Sequence, residues 1–166
     1  MSDWFFMLGE PLGASETEQV RAYLNGLDIL DPLRIESVSD FARAASVISH
    51  PDWDRRWWDA EQLERRRLLA KATSTQGSSQ LLQTLSHSTD ESAASHGTAA
   101  VQAARLGCSD TGLIRAAAGA LGEALYLAKL AELAGEASSH PFLLKRAVFA
   151  AGHWPLSLVS GCFYVF

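Results

Sequence analysis

Hydrophobic and polar positions repeat mostly at helical spacing along this chain. Val20, Leu24 and Leu27 share one side of a helix over residues 15–25. Ser15-Glu16-Thr17-Glu18 forms a capping box before it: the serine accepts a free backbone N–H, Glu18 reaches back, and Gly26 supplies the stop. Residues 37–40 repeat this pattern with an acidic fourth residue. Phe41, Ala44, Ala45 and Ile48 then make the apolar stripe of a second helix, which Pro51 ends. Asp52 caps a third helix over residues 53–73, where Trp53, Trp57, Ala60, Glu64 and Leu68 fall on adjacent turns. A Ser/Thr-rich breaker covers residues 73–79 and a short helix residues 79–85. Ser88-Thr89-Asp90-Glu91 is another capping box, opening a helix that runs to Leu106. Asp110 caps the longest helix, residues 113–133, which Gly135 stops. One half of it is Leu and Ala, thinned by Gly119 and Gly122, so a neighbour can approach closely. His140 precedes Pro141, which fits the first position of a last helix with Phe142, Lys145, Phe149 and Gly152 on its turns.

Two segments read as strands. Residues 3–8 (DWFFML) are aromatic and closed by Gly9, with Pro11 following. Residues 156–159 and 162–166 flank Ser160-Gly161, a two-residue hairpin turn. The expected fold is mainly α: a single bundle-like domain over residues 1–166, with five to seven helices. A small antiparallel sheet combines the N-terminal strand and the C-terminal hairpin, and residues 73–95 are the flexible segment. An apolar strand with a free edge also suits pairing across a dimer.

Composition agrees with a helical core, since 26 Ala and 23 Leu stand against 7 Val and 4 Ile. A chain of 166 residues is large enough to bury a core without metal or disulfide. Net charge is -5, against a broadly basic nucleic-acid binder. No apolar run is long enough for a membrane span, and residues 4–8 are too short for a signal peptide. Cys108 and Cys162 have no CxxC spacing, so the expected compartment is a reducing cytoplasm. No nucleotide-loop, nucleophile-elbow or zinc-protease motif is present, and no cofactor is expected.

The third helix is the most distinctive segment. It holds three of the five Trp and six of the 14 basic residues. Trp and Arg are enriched at binding hot spots, and Arg stacks on Trp. Arg55, Arg56, Trp57, Trp58 and Arg66 therefore make a candidate partner-binding face, for another protein or for a homodimer. Against this stands an ordinary amphipathic helix, with Trp53 and Trp57 in the core and the arginines paired to Asp54, Asp59, Glu61 and Glu64.

Three further constellations carry chemistry. Trp53, Tyr126, His153 and Trp154 suit a small-molecule pocket along the central helix. His87, Asp90 and His96 are weak candidates for a metal, with a spacing that fits no standard ligand set. His153, in the rigid corner Gly152-His153-Trp154-Pro155, has the pKa range of a general acid or base. The leading expectation is a non-enzymatic interaction module, a small acidic adaptor or regulator. A small-molecule-binding domain comes second, and an enzyme using His87, Asp90 and His96, or His153, third.

Overall fold

A computed structural model describes residues 4–30, 34–86 and 110–166. The helices are α1 (Ala14–Gly26), α2 (Phe41–Ile48), α3 (Arg55–Gln76), α4, described over residues 78–86, α5 (Thr111–Leu133) and α6 (Pro141–Ala150). The strands are β1 (Arg34–Ser37), β2 (Pro155–Val159) and β3 (Cys162–Val165). The expected helix from residue 88 to 106 lies outside the described residues, as do His87, Asp90, His96 and Cys108. Residues 73–86, expected to be flexible, are helical apart from Gly77, whose φ of +78° separates α3 from α4.

Caps decide where the helices begin. Asp40, Asp54 and Asp110 each accept a backbone N–H from Arg43, Arg56 and Leu113. The cap of α3 is thus Asp54, not Asp52. Trp53 bridges Val159, and the Asp54 N–H bonds the Leu158 carbonyl at 2.7 Å, which holds the two residues extended along β2. The capping box at Ser15 does not form: α1 starts at Ala14 behind Gly13, without a side-chain cap. Ser37 likewise ends β1, where its hydroxyl accepts the Leu12 N–H at 2.9 Å. Gly26 lies inside α1 rather than stopping it. The Pro141 ring packs 3.1 Å from where a Cβ would stand, so this glycine serves the close approach of α6. Asp28 (φ +59°) takes the left-handed position past the helix end. On α2 the buried positions are Ala44 and Val47, whereas Ile48 is exposed.

The sheet corrects the expected topology. Its order is β1-β3-β2, with β1 parallel and β2 antiparallel to β3, so it is mixed. Residues Trp4–Met7 form a single 3-10 turn, and Trp4 meets Phe149 edge-on at 5.6 Å. The third strand is Arg34–Ser37 instead. The hairpin turn is as read: Ser160 (φ +49°) and Gly161 (φ +74°) both take positive φ, the primed geometry that suits strand twist. β3 is central, so neither of its edges is free for a partner chain.

Both faces of β3 are covered. Phe163 and Val165 belong to one apolar cluster, with α1, α3, α6 and the second half of α5. Tyr164 and Phe166 belong to the other, with α2, Trp4, Trp154 and the first half of α5. On β2, Leu156 and Leu158 fall in opposite clusters despite their two-residue spacing. The irregular register between Pro155 and Ser157 accounts for this, because one extra residue reverses the alternation.

Candidate functional site

α3 has two unlike sides, and the buried one is the more unusual chemically. Trp57, Glu61, Glu64, Leu68 and Ala72 recur at three- and four-residue spacing and turn inward. Glu61 is 2% exposed and its partner Lys145, from α6, is 4% exposed. The Lys145 ammonium donates to both Glu61 oxygens, at 2.7 and 3.0 Å. Tyr23 of α1 donates its phenol proton to Glu61 at 2.5 Å and accepts the Trp57 indole N–H at 2.5 Å. Lys145 also stands 5.4 Å over the Trp57 ring. Three helices therefore meet in one closed network. Burial, then the Glu61 charge, push the Tyr23 phenol well above its ordinary pKa, so it acts as a proton donor. With the carboxylate shared between phenol and ammonium inside the core, the network orients Trp57 and fixes α3.

A second network continues along the same helix. His140 Nδ1 accepts the Phe142 N–H at 3.2 Å, so Nε2 carries the proton and donates to Glu64 at 2.7 Å. Arg67 bonds Glu64 at 2.6 Å and Glu136 at 2.8 Å, and Lys71 bonds Glu136 at 2.9 Å. Arg67 holds the Glu64 carboxyl below its usual pKa, and Lys71 does the same for Glu136.

The solvent side carries the other candidates. Trp58, Gln62 and Arg66 follow one another at four-residue spacing, with Asp59 and Leu63 beside them. Trp58 is 41% exposed and Leu63 64%. Arg55 pairs with Asp59 at 3.3 Å, and Arg56 with its own cap Asp54 at 2.8 Å. The Arg56 contact leads the causes that lower the Asp54 pKa. Arg66 makes no ion pair among the described residues. Of the five predicted contact residues, Arg55, Arg56, Trp58 and Arg66 thus lie outward. Trp57 faces the core, half-buried, and leaves the set. Trp53, expected in the core in one reading, is exposed beside the sheet edge.

The four pocket candidates are not brought together around either cavity described below. Trp154 is buried against the second cluster, and its N–H and carbonyl pair with Phe166. His153 is buried at the end of α6. Tyr126 is half-buried on α5, under the Arg65 guanidinium at 5.3 Å. One cavity of about 300 Å³ is lined by Leu27, Asp28, Ile29, Leu30, Arg56 and Ala60. Another of about 250 Å³ lies between α2 and α5, lined by Ala45, Ile48 and Leu113 with Asp110, Gly112 and Ala116. Among the described residues no cluster of His, Cys, Asp or Glu is able to hold a metal, and no helix is long and apolar enough to cross a membrane.

The sequence reading missed Tyr23, and it paired Glu61 with an arginine of its own helix where the structure gives it to Lys145 and Tyr23. A signal was present for Glu61 and Lys145: a charged residue at the centre of each helix's apolar stripe. Comparison with protein-family models, curated proteins and solved structures returned no match.

Proposed function

We propose that this chain is a protein-interaction module whose solvent-facing side of α3 docks an acidic segment of another protein. The observation that carries the reading is Trp58: a large aromatic, 41% exposed, on a helix whose opposite side is locked in place by the buried Glu61–Lys145 pair. An anchor held on a rigid element loses little freedom on binding. Leu63 widens the apolar contact, and Arg66, without an ion pair among the described residues, can meet a carboxylate. Charge supports an acidic partner. α3 carries six Lys and Arg against three Asp and Glu, a local excess of positive charge in a chain of net -5.

The test uses a displayed library of twelve-residue peptides, selected on the immobilised full chain. The expected winners pair Asp or Glu with an aromatic or aliphatic residue and lose affinity as salt rises. Trp58→Ala with Arg66→Ala should weaken their binding about 30-fold or more, since an aromatic anchor is worth about 2 kcal/mol. Its circular dichroism should match the wild type, because both side chains lie outside the core. Winners that bind the double variant equally well overturn the reading. A Trp58-dependent dimer in native mass spectrometry overturns the acidic partner in favour of a second copy of this chain.

A further inference from the structure

The corner where α6 turns into β2 lies apart from α3. Gly152 (φ +91°) donates to the Phe149 carbonyl and His153 to the Val148 carbonyl, which closes the helix in a left-handed cap. His153 is 5% exposed, and its Nδ1 is buried with no hydrogen-bond partner among the described residues. Residues 4–10 cover this corner. Met7 packs so tightly on Gly152 that any Cβ there would overlap it. Gly9 (φ +89°) presses against the Ser39 carbonyl and the Phe166 ring, and Trp4 seats on Phe149. The charged groups that act on the imidazole are Glu16, in the first turn of α1, and Glu10, in the covering segment itself. No cation is among them.

We propose that residues 4–10 form an acid-released strap, closed over the α6–β2 corner while His153 is neutral and opened when the imidazole gains a proton. A neutral ring fits an apolar corner at the cost of one unpaired nitrogen. An imidazolium brings a full charge and necessarily an Nδ1–H, for which no described residue supplies an acceptor, and burial penalises both. Lifting the strap lets water reach the ring.

The direction follows from linkage. Burial lowers the His153 pKa, so the closed state binds fewer protons than the open one. Closure is fully favoured above about pH 6.5, the ordinary histidine value, and is lost as pH falls through the lower folded value.

The chain has two methionines, Met1 and Met7, so methyl-labelled methionine reports the strap directly. Between pH 7 and 5 the Met7 methyl signal should move toward its unpacked position. Its midpoint should be that of the His153 ring signal and lie below pH 6.5. Amide exchange over residues 4–10, corrected for intrinsic rate, should rise about tenfold for each pH unit separating the two His153 pKa values. His153→Phe, neutral and ring-shaped, should abolish both responses; His153→Gln serves if the phenylalanine variant does not fold. A Met7 signal that stays fixed while the ring titrates overturns the proposal. So does a His153 variant that opens with acid as the wild type does.

Discussion

Glu61 and Lys145 are opposite charges inside a hydrocarbon core, and the two singly substituted states are unlike the doubly substituted one. Lys145→Met leaves the buried Glu61 carboxyl with Tyr23 as its remaining donor, which costs about 3–5 kcal/mol for a broken buried pair. Adding Glu61→Gln removes the charge and keeps an acceptor for the Tyr23 phenol. The double variant should therefore regain at least half of the loss in urea denaturation at pH 7. Equal stability of Lys145→Met and the wild type, or no recovery in the double variant, would show that the charge is not what this site balances. Tyr23→Phe is milder, about 1–3 kcal/mol, because the Trp57 N–H loses its acceptor and Glu61 one donor. The stripe that holds Lys145 was legible: it stands three residues after Phe142 and four before Phe149. Its partner was not, since Glu61 is 84 residues away in sequence and periodicity carries no information across that distance.

Elements were legible where a local cap or a strong stripe fixes them. Asp110, the His140-Pro141 start and the Ser160-Gly161 turn each act within four residues, and all three form as read. The misreadings came where a distant element overrides a local signal. β1 took Arg34–Ser37, a short run with one apolar residue, because β3 offers a parallel edge there. The aromatic run at Trp4 looked like a strand, but its ring packing against Phe149 needs only one turn. His140 joins a local cap to a long-range contact, and substitution separates the two. His140→Ala removes both the α6 cap and the Glu64 bond, a loss of about 1 kcal/mol for the cap alone. His140→Asn is a good cap that does not reach Glu64, so it should recover the cap's share of the thermal midpoint. Identical midpoints for the alanine and asparagine variants would show that the imidazole does not cap α6.

At the scale of the molecule, α5 and the sheet each serve both apolar clusters, and ionic contacts tie the helices together at the surface. Glu132 on α5 bonds Arg146 on α6 at 2.6 Å. Glu136, just past α5, meets Arg67 and Lys71 of α3, and Glu64 of α3 meets His140 at the start of α6. All three carboxyls are held below their usual pKa: Glu64 by its bond to Arg67, Glu132 by Arg146 and Lys129 against partial burial, and Glu136 by Lys71 and Arg67. Each folded pKa lies below the unfolded one, so the contribution is present above the ordinary glutamate value of about 4.3. It is lost as pH falls through the folded values. This acid limb is separate from the His153 effect, which begins below about pH 6.5. Replacing Glu64, Glu132 and Glu136 together by Gln removes two contacts at each carboxylate and should cost no more than about 6 kcal/mol at pH 7, since partly exposed pairs are worth about 0.2–1 kcal/mol each. As pH falls through the lowered folded values the variant and wild type should converge, because both then lack the three charges. Urea midpoints from pH 7 to pH 2.5 check this. Curves that stay parallel throughout would place the acid sensitivity of the fold elsewhere than in these three ties.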